Sequence, residues 1–200
     1  MPASREQAAA LLLEVLTTAC PASEACLIGS MAKPGEADVY SDIDIRWTVP
    51  EGQAPGQLQS LRGTLQRAGT LESLRVDPAM RPDRLLVFIR FRGWPLWWRV
   101  DLELHSPGVG AMGPRDVDPW SPDESACMGV VTTLKALARN RPEVAEEQLI
   151  RALQRADSAD VVGDWQLRID SLLDHIVTSS PPTADLVART RRLSQDVFGR

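Results

Sequence analysis

Cysteine is scarce in this chain of 200 residues, which contains three, Cys20, Cys26 and Cys127. Their spacing matches no metal-ligand pattern, so nothing indicates a zinc-binding module. An odd number of cysteines, behind an N-terminal stretch that lacks the order of a secretion signal, predicts reduced thiols in a cytoplasmic protein. No apolar run reaches the roughly 18 residues of a transmembrane helix, so we expect no membrane partner.

Positive charge is also in short supply, since 22 lysines and arginines stand against 27 aspartates and glutamates and the net charge is −5. A chain with this balance has no long-range attraction to nucleic acid or to an anionic membrane surface. That argues against a polymerase or a general nucleic-acid binder. The hydrophobic fraction of 44% and the charged fraction of 24% are typical of a globular protein with one ordinary domain or two small ones.

The most informative stretch of the sequence combines a turn with a pair of acids. An apolar run ends at Gly29 and Ser30, a loop follows, and a strand-like pattern then carries Asp42 and Asp44. Because side chains alternate along a strand, the two carboxylates project from the same face. A glycine-serine turn alone is usually only a turn, and an Asp-x-Asp pair alone is often a solvated strand edge. The two in this order are a more specific signal.

The chemistry of these residues points to phosphate. Two carboxylates on one face repel each other unless a cation lies between them. Mg²⁺ is a hard ion that accepts carboxylate oxygens and bridges to phosphate oxygens. The turn at Gly29 and Ser30 adds backbone N–H groups and a hydroxyl, which suit a polyphosphate. A phosphate cradle beside metal-binding carboxylates predicts phosphoryl or nucleotidyl transfer.

This stretch resembles the signature of the nucleotidyltransferase superfamily, which has the DNA polymerase beta-like fold. It is most similar to the small bacterial aminoglycoside and lincosamide nucleotidyltransferases, in which Gly-Ser-x-Ala-x-Gly-x-Ala is followed by Ser-Asp-x-Asp. The matching positions are Gly29, Ser30, Ala32, Gly35, Ala37, Ser41, Asp42 and Asp44. One departure is an additional residue at Lys33-Pro34, in a loop where insertions are tolerated.

The resemblance also implies a third carboxylate on a later strand. Asp101, in the run WWRVDLELH, is the expected residue, and Glu103 on the same predicted face is the alternative. The other interpretation is a solvated sheet face on which Arg99 and His105 pair with both acids. The resemblance favours a catalytic acid at this place in the chain.

Further roles follow from the same resemblance. Asp42, Asp44 and Asp101 are expected to carry catalysis and to hold Mg²⁺, with two ions in the site. The residues expected to bind the nucleotide are Gly29, Ser30, Ser41 and Lys135. Ser41 has the alternative role of orienting the acid pair or only starting the strand. For Lys135 the alternative is a solvated helix face.

The periodicity of the chain predicts an α+β protein. Residues 1–106 are expected to form a nucleotidyltransferase domain with a mixed sheet, in which one strand over 39–48 carries the acid pair and a hairpin returns over 96–105. The Gly- and Pro-rich residues 107–122 predict a linker. Residues 123–200 predict a C-terminal four-helix bundle. Its helices are expected near 123–139, 143–156, 160–178 and 183–198.

The resemblance implies Mg²⁺-dependent transfer of a nucleoside monophosphate, AMP from ATP, to a hydroxyl group of a small molecule, with release of pyrophosphate. The expected acceptor is an aminoglycoside- or lincosamide-like antibiotic, whose pocket the helical bundle shapes, in a monomer or homodimer. Two alternatives stay open: a protein-directed, antitoxin-like nucleotidyltransferase and a non-catalytic module that binds nucleotide or a partner. The presence of both Asp42 and Asp44 favours the enzyme, because degenerate copies typically lose one of them.

Overall fold

A computed structural model describes residues 1–79, 81, 83–109, 116–179 and 183–199. The chain forms two compact units, Met1–Trp120 and Ser121–Arg200. Residues 110–115, in the middle of the predicted linker, lie outside the described part of the chain. The three candidate acids all belong to the first unit, and Lys135 belongs to the second.

The described residues of the first unit form a five-stranded sheet and two longer helices, α1 (Arg5–Ala19) and α2 (Ala54–Gln66). The strands are β1, Glu24–Leu27; β2, Ile43–Thr48; β3, Leu71–Val76; β4, Arg84–Phe91; and β5, Val100–His105. Their order across the sheet is β1-β2-β5-β4-β3. Strands β2 and β5 are parallel, whereas the other neighbouring pairs are antiparallel. This topology confirms the predicted α+β class and the mixed sheet.

Buried and polar side chains alternate along the two central strands, as the sequence pattern predicts. The buried set of β2 and β5 comprises Ile43, Ile45, Trp47, Val100, Leu102 and Leu104. These side chains belong to one core with apolar residues of α1 and α2, among them Leu12, Leu16, Leu58, Leu61 and Leu65. One face of the sheet is therefore covered by the two helices, and the polar residues of β2 and β5 project from the opposite face.

The strand that carries the acid pair is shorter than the predicted 39–48 and begins at Ile43. Residues before it form a turn, in which the Ser41 N–H donates to the Asp38 carbonyl over 3.1 Å. A turn of this kind takes the backbone out of the extended conformation that a strand requires. Asp42 therefore lies between the turn and the first residue of β2.

The return strand of the hairpin is also shorter than the predicted 96–105, since it begins at Val100. Here the Trp98 N–H donates to the Pro95 carbonyl over 2.9 Å, so the chain turns once more before it pairs. The late start places Asp101 as the second residue of β5. Each central strand consequently has a candidate acid as its second residue, Asp44 in β2 and Asp101 in β5.

The described part of the second unit is helical. Its helices are α3, Pro122–Ala138; α4, Pro142–Arg155; α5, Trp165–Ser179; and α6, Ala184–Phe198. Helix α3 packs against α4 and α6, and α5 packs against α6. The third helix starts later than the predicted residue 160, because the Asp164 carboxylate accepts the Leu167 N–H over 2.9 Å and caps it there. An up-down four-helix bundle remains a prediction.

No helix in the described part of the chain is both long enough and apolar enough to cross a bilayer. The apolar side chains that these helices carry are used instead in packing within each unit, as the buried Leu149 of α4 and Leu172 of α5 illustrate.

Candidate functional site

The site begins with the register of the two parallel strands. Asp44 of β2 lies directly opposite Asp101 of β5, and Asp42 immediately precedes β2. We call Asp42, Asp44 and Asp101 the acid row. Like charges directly opposite each other destabilise a sheet. Without a nearby cation, this pairing would therefore reduce the stability of the sheet.

Arg99 lies among these acids. Its Nη2 donates to Asp101 Oδ2 over 2.9 Å and to Asp42 Oδ2 over 3.4 Å. Burial opposes the positive charge of Arg99, but Asp101, Asp42 and Asp44 outweigh it and raise the pKa of the guanidinium further above its usual value. An arginine thus supplies positive charge where the sequence predicts a metal ion.

Two residues further along the same strands, the charges are opposite in sign. Arg46 of β2 lies opposite Glu103 of β5 and donates to it over 3.2 Å. Glu103 also contacts Arg84 at 3.1 Å and His105 at 3.2 Å. We call Arg46, Arg84, Glu103 and His105 the paired row. Burial alone raises the pKa of Glu103, but the hydrogen bonds with His105 and Arg46 and the charge of Arg84 lower it overall.

The paired row bears on the choice of the third carboxylate. Glu103 is engaged by two arginines and a histidine, whereas Asp101 lies opposite Asp44. A carboxylate that is held by two guanidinium groups is poorly available to a metal ion. The arrangement therefore favours Asp101 as the third acid, which remains a prediction.

The glycine-serine turn lies against Asp44. Residues Gly29–Ala32 form one short 3₁₀ turn after β1, and the Ile28 N–H donates to the Asp44 carbonyl over 2.9 Å. Gly29 has φ +65°, and a Cβ atom there would lie 2.4 Å from Asp44 Oδ2. Only glycine allows both this backbone conformation and this approach to the carboxylate. The conformation of the turn at Gly29 and the position of the Asp44 carboxylate therefore depend on each other.

The additional residue of the loop lies at Lys33-Pro34, where the Lys33 side chain forms an ion pair with Glu36. Its Nζ lies 3.1 Å from Glu36 Oε2, and both side chains are more than half exposed. This part of the loop is therefore exposed to solvent. Ser30, at the start of the turn, is partly buried, and its carbonyl accepts the Lys33 N–H over 3.2 Å.

Ser41 has a local structural contact in the turn before Asp42. It is 2% exposed, and its hydroxyl accepts the Asp38 N–H and donates to Asp38 Oδ1, both over 3.1 Å. These hydrogen bonds orient the chain that leads into the acid row. They match the alternative role for Ser41, which is to orient the acids, and direct binding of the nucleotide remains a prediction.

Arg5, at the start of α1, holds the same turn from the other side. Its Nη1 donates to the Asp38 carbonyl and, over 3.2 Å, to the Ser41 carbonyl. The side chain is 10% exposed. Sequence reasoning missed Arg5, because an arginine beside the helix cap Ser4 has the pattern of a solvated first turn.

Two aromatic side chains contact each other in the loops that precede β2 and β5. Tyr40 and Trp97 precede Asp42 and Arg99 by two residues each, and their rings make an edge-to-face contact with centroids 5.3 Å apart. Both side chains are half-buried. The pair joins the two loops from which the acid row begins. Because Tyr40 and Trp97 are far apart in the chain, no local sequence pattern predicts their contact.

Lys135 lies in the last turn of α3 in the second unit and is 3% exposed. A buried ammonium group requires a compensating partner, and Lys135 does have an interaction partner in the structure. Its predicted role as a nucleotide ligand would require both units to contact the same nucleotide. That role remains a prediction.

The fit of the acid row to a divalent ion rests on the chemistry of its donors. Within the described residues, no group of three or more acid, histidine or cysteine side chains is already arranged around a metal position. Carboxylate oxygens are nevertheless the ligands that Mg²⁺ prefers, and two of the three acids already direct an oxygen at one cation, Arg99. The donors fit a hard cation, and their arrangement around an ion would differ from their arrangement around Arg99.

Comparison with solved structures gives a weak likeness. No family model and no curated protein matches the sequence. Among solved structures, the chain is similar to the crystal structure of an aminoglycoside 6-adenyltransferase from Bacillus subtilis, with 12% sequence identity and a TM-score of 0.37, over 99% of this chain and 98% of that one. A likeness of this size does not establish a shared fold or activity, so the function has to be argued from the residues of this chain.

Proposed function

We propose that the chain is a Mg²⁺-dependent nucleotidyltransferase that transfers a nucleoside monophosphate from a nucleoside triphosphate to a hydroxyl group of a small molecule. The observation that carries the proposal is the position of Asp44 opposite Asp101 on parallel central strands. Such a like-charge pair costs stability. A bound cation with its phosphate ligand would offset the repulsion between the two carboxylates. The turn at Gly29, packed against Asp44, supports the same reading.

Each residue of the site has a role in this reaction. Asp42, Asp44 and Asp101 would hold Mg²⁺, which when bound neutralises the triphosphate. The Ser30 hydroxyl and the N–H groups of its turn bind phosphate oxygens. Asp101 takes the proton of the acceptor hydroxyl, whose oxygen attacks the α-phosphorus in line. The bond from the α-phosphorus to the β-phosphate oxygen breaks, and pyrophosphate leaves.

The donor and acceptor are the finer part of the proposal. ATP is the proposed donor, with two Mg²⁺ ions, and an aminoglycoside- or lincosamide-like antibiotic is the proposed acceptor. The signature shared with the enzymes of that group supports this choice. The net charge of −5 also suits a cationic acceptor. The reaction would take place in the cytoplasm, where the free thiols Cys20, Cys26 and Cys127 stay reduced.

Incubation of the protein with each α-labelled nucleoside triphosphate, Mg²⁺ and a panel of acceptors tests the proposal. We expect pyrophosphate release that depends on Mg²⁺ and on an aminoglycoside or lincosamide, and label that becomes attached to the acceptor. Label on a protein instead would assign the chain to the protein-directed alternative. No release with any acceptor, from protein that binds nucleotide, would leave only the non-catalytic alternative.

A non-catalytic nucleotide-binding module is the second candidate, and one observation favours it. Arg99 already donates to two of the three acids, which is what a site without a metal ion needs. In that case, nucleotide binding would not depend on a divalent ion. In the enzyme, by contrast, Arg99 and the metal ion use the same oxygens.

A further inference from the structure

Arg99 is fixed at the start of β5 by its backbone. Its carbonyl accepts the Ile43 N–H over 2.8 Å, which is the first hydrogen bond between the two central strands. The strand pairing that brings Asp44 opposite Asp101 therefore also places the Arg99 guanidinium beside the acid row. The side chain is 23% exposed, so solvent reaches part of it. With its backbone fixed and its side chain partly exposed, Arg99 can change the hydrogen-bond partners of its guanidinium.

The oxygens that Arg99 contacts are the ones a metal ion needs. Nη2 donates to Asp42 Oδ2 and to Asp101 Oδ2, one oxygen from each of two acids of the acid row. A guanidinium that lies 2.9 Å from Asp101 Oδ2 and a divalent ion bound to the same carboxylates would repel each other, and a partly buried site screens this repulsion weakly. Arg99 and a divalent ion therefore compete for these carboxylates.

Two neighbouring arginines on the same sheet face provide a contrast. Arg46 and Arg84 are both directed to Glu103 in the paired row. They carry the same charge as Arg99 on the same sheet, but in these contacts they engage an acid outside the predicted metal site. Arg84 therefore serves as a matched control for the loss of one positive charge.

We propose that Arg99 is an exchangeable cation of the acid row: it occupies the carboxylates of Asp42 and Asp101 in the metal-free protein and leaves them when a metal–nucleotide complex binds. This inference rests on the proposed function of the site. A free metal ion has to displace a guanidinium that then loses its hydrogen bonds to Asp42 and Asp101 at a partly buried position. A metal ion that arrives with a triphosphate brings phosphate oxygens, which are good partners for the released guanidinium.

The exchange couples the metal ion to the nucleotide. Binding of either one lowers the cost for the other, because the nucleotide accepts the arginine that the metal displaces. The protein would then bind divalent ions weakly by themselves and more tightly with nucleotide. Arg99 acts through the carboxylates and is a positioning residue.

Mn²⁺ binding to the full chain, followed by electron paramagnetic resonance, tests the exchange. The variants are Arg99→Met, Arg99→Lys and the control Arg84→Met, each measured with and without α,β-methylene-ATP. Removal of a competing cation from a partly buried site is worth on the order of tenfold in affinity. We expect Arg99→Met to bind Mn²⁺ about tenfold more tightly than the wild type in the absence of nucleotide. Arg99→Lys and Arg84→Met should stay close to the wild type.

The wild-type protein alone provides a second test, which does not depend on the folding of a variant. Its Mn²⁺ affinity should rise with α,β-methylene-ATP, and this gain should be smaller in Arg99→Met. A folded Arg99→Met that binds Mn²⁺ as the wild type does, or more weakly, overturns the exchange and leaves the proposed function standing if turnover is present. An absence of Mn²⁺ binding by every variant, with and without nucleotide, overturns both.

Discussion

The acid row and the paired row lie two residues apart on the same strands and the same face of the sheet, yet they are built in opposite ways. In the acid row an aspartate lies opposite an aspartate, whereas in the paired row Arg46 lies opposite Glu103. Opposite charges across a strand pair contribute stability, and like charges reduce it. The register of the strands therefore divides the charged residues of one sheet face into a structural set and a candidate functional set.

The largest expected effect comes from Asp44→Asn. Loss of one carboxylate removes several kcal/mol of charge stabilisation around the transferred phosphate, so we expect nucleotidyl transfer to fall by at least about a thousandfold. The free energy of unfolding should stay the same or rise, because the repulsion with Asp101 is relieved. Steady-state kinetics and urea denaturation measure the two quantities.

Glu103→Gln is the matched change in the paired row. It should keep turnover within about threefold of the wild type, because its partners are the side chains of Arg46, Arg84 and His105 and the change removes one charge from an ion cluster. Equal losses of turnover in Asp44→Asn and Glu103→Gln would remove the distinction between the two rows.

Gly29→Ala is expected to have the next largest effect. The substitution forces a left-handed backbone on alanine, which costs about 1–2 kcal/mol, and places a Cβ 2.4 Å from Asp44 Oδ2. The carboxylate has to move, so we expect turnover to fall by about tenfold to a hundredfold, as judged from the effect of misplacement by about 1 Å.

Gly35→Ala separates the two causes. Gly35 has φ +78° in the same loop, but a Cβ there would meet no atom within 4 Å. This variant carries the backbone strain without the contact with the acid. A loss of activity as large as that of Gly29→Ala would mean that the strain of the loop, and not the position of Asp44, determines turnover.

How far the sequence predicts this site depends on the range of the contacts involved. The alternation of Ile43, Ile45 and Trp47 with polar residues predicted β2 and its buried face, because that signal is local. The register that brings Asp44 opposite Asp101 joins residues far apart in the chain. No local pattern contains it, so Asp101 was singled out only by the resemblance.

The contacts of two arginines show the same limit. The sequence predicts Arg99 only as a partner of acids on a solvated face. In the fold, Arg99 donates hydrogen bonds to both Asp42 and Asp101. Arg5 has no sequence signal at all, since a first-turn arginine is ordinary. Its carbonyl partners, Asp38 and Ser41, come from a turn whose structure depends on the strand that follows.

Arg5→Met is expected to have a smaller effect than the change at Gly29. The variant loses charge-assisted hydrogen bonds to two carbonyl groups, which are worth about 1.5–3 kcal/mol to the free energy of unfolding. Because the turn leads directly into Asp42, we also expect turnover to fall by about tenfold through a less well fixed acid. Thermal unfolding and kinetics measure the two effects.

The exposed neighbour of Arg5 supplies the control. Glu6 contacts Arg5 at 3.4 Å, and its side chain is 68% exposed, so Glu6→Gln should change neither quantity appreciably. A normal rate in an Arg5→Met protein of reduced stability would mean that Arg5 supports the fold and not the acid row.

The smallest expected effect is the pH dependence of the paired row. The pKa of Glu103 is lowered from its ordinary value of 4.5, so its ion pairs contribute stability that is fully present above that value and is lost as the pH falls through the lower folded-state pKa. Urea denaturation of wild type and Glu103→Gln should differ by about 1 kcal/mol at pH 7. The difference should vanish in acid. A difference that persists there would mean that Glu103 stabilises the sheet by packing, and the paired row would no longer serve as an electrostatic contrast to the acid row.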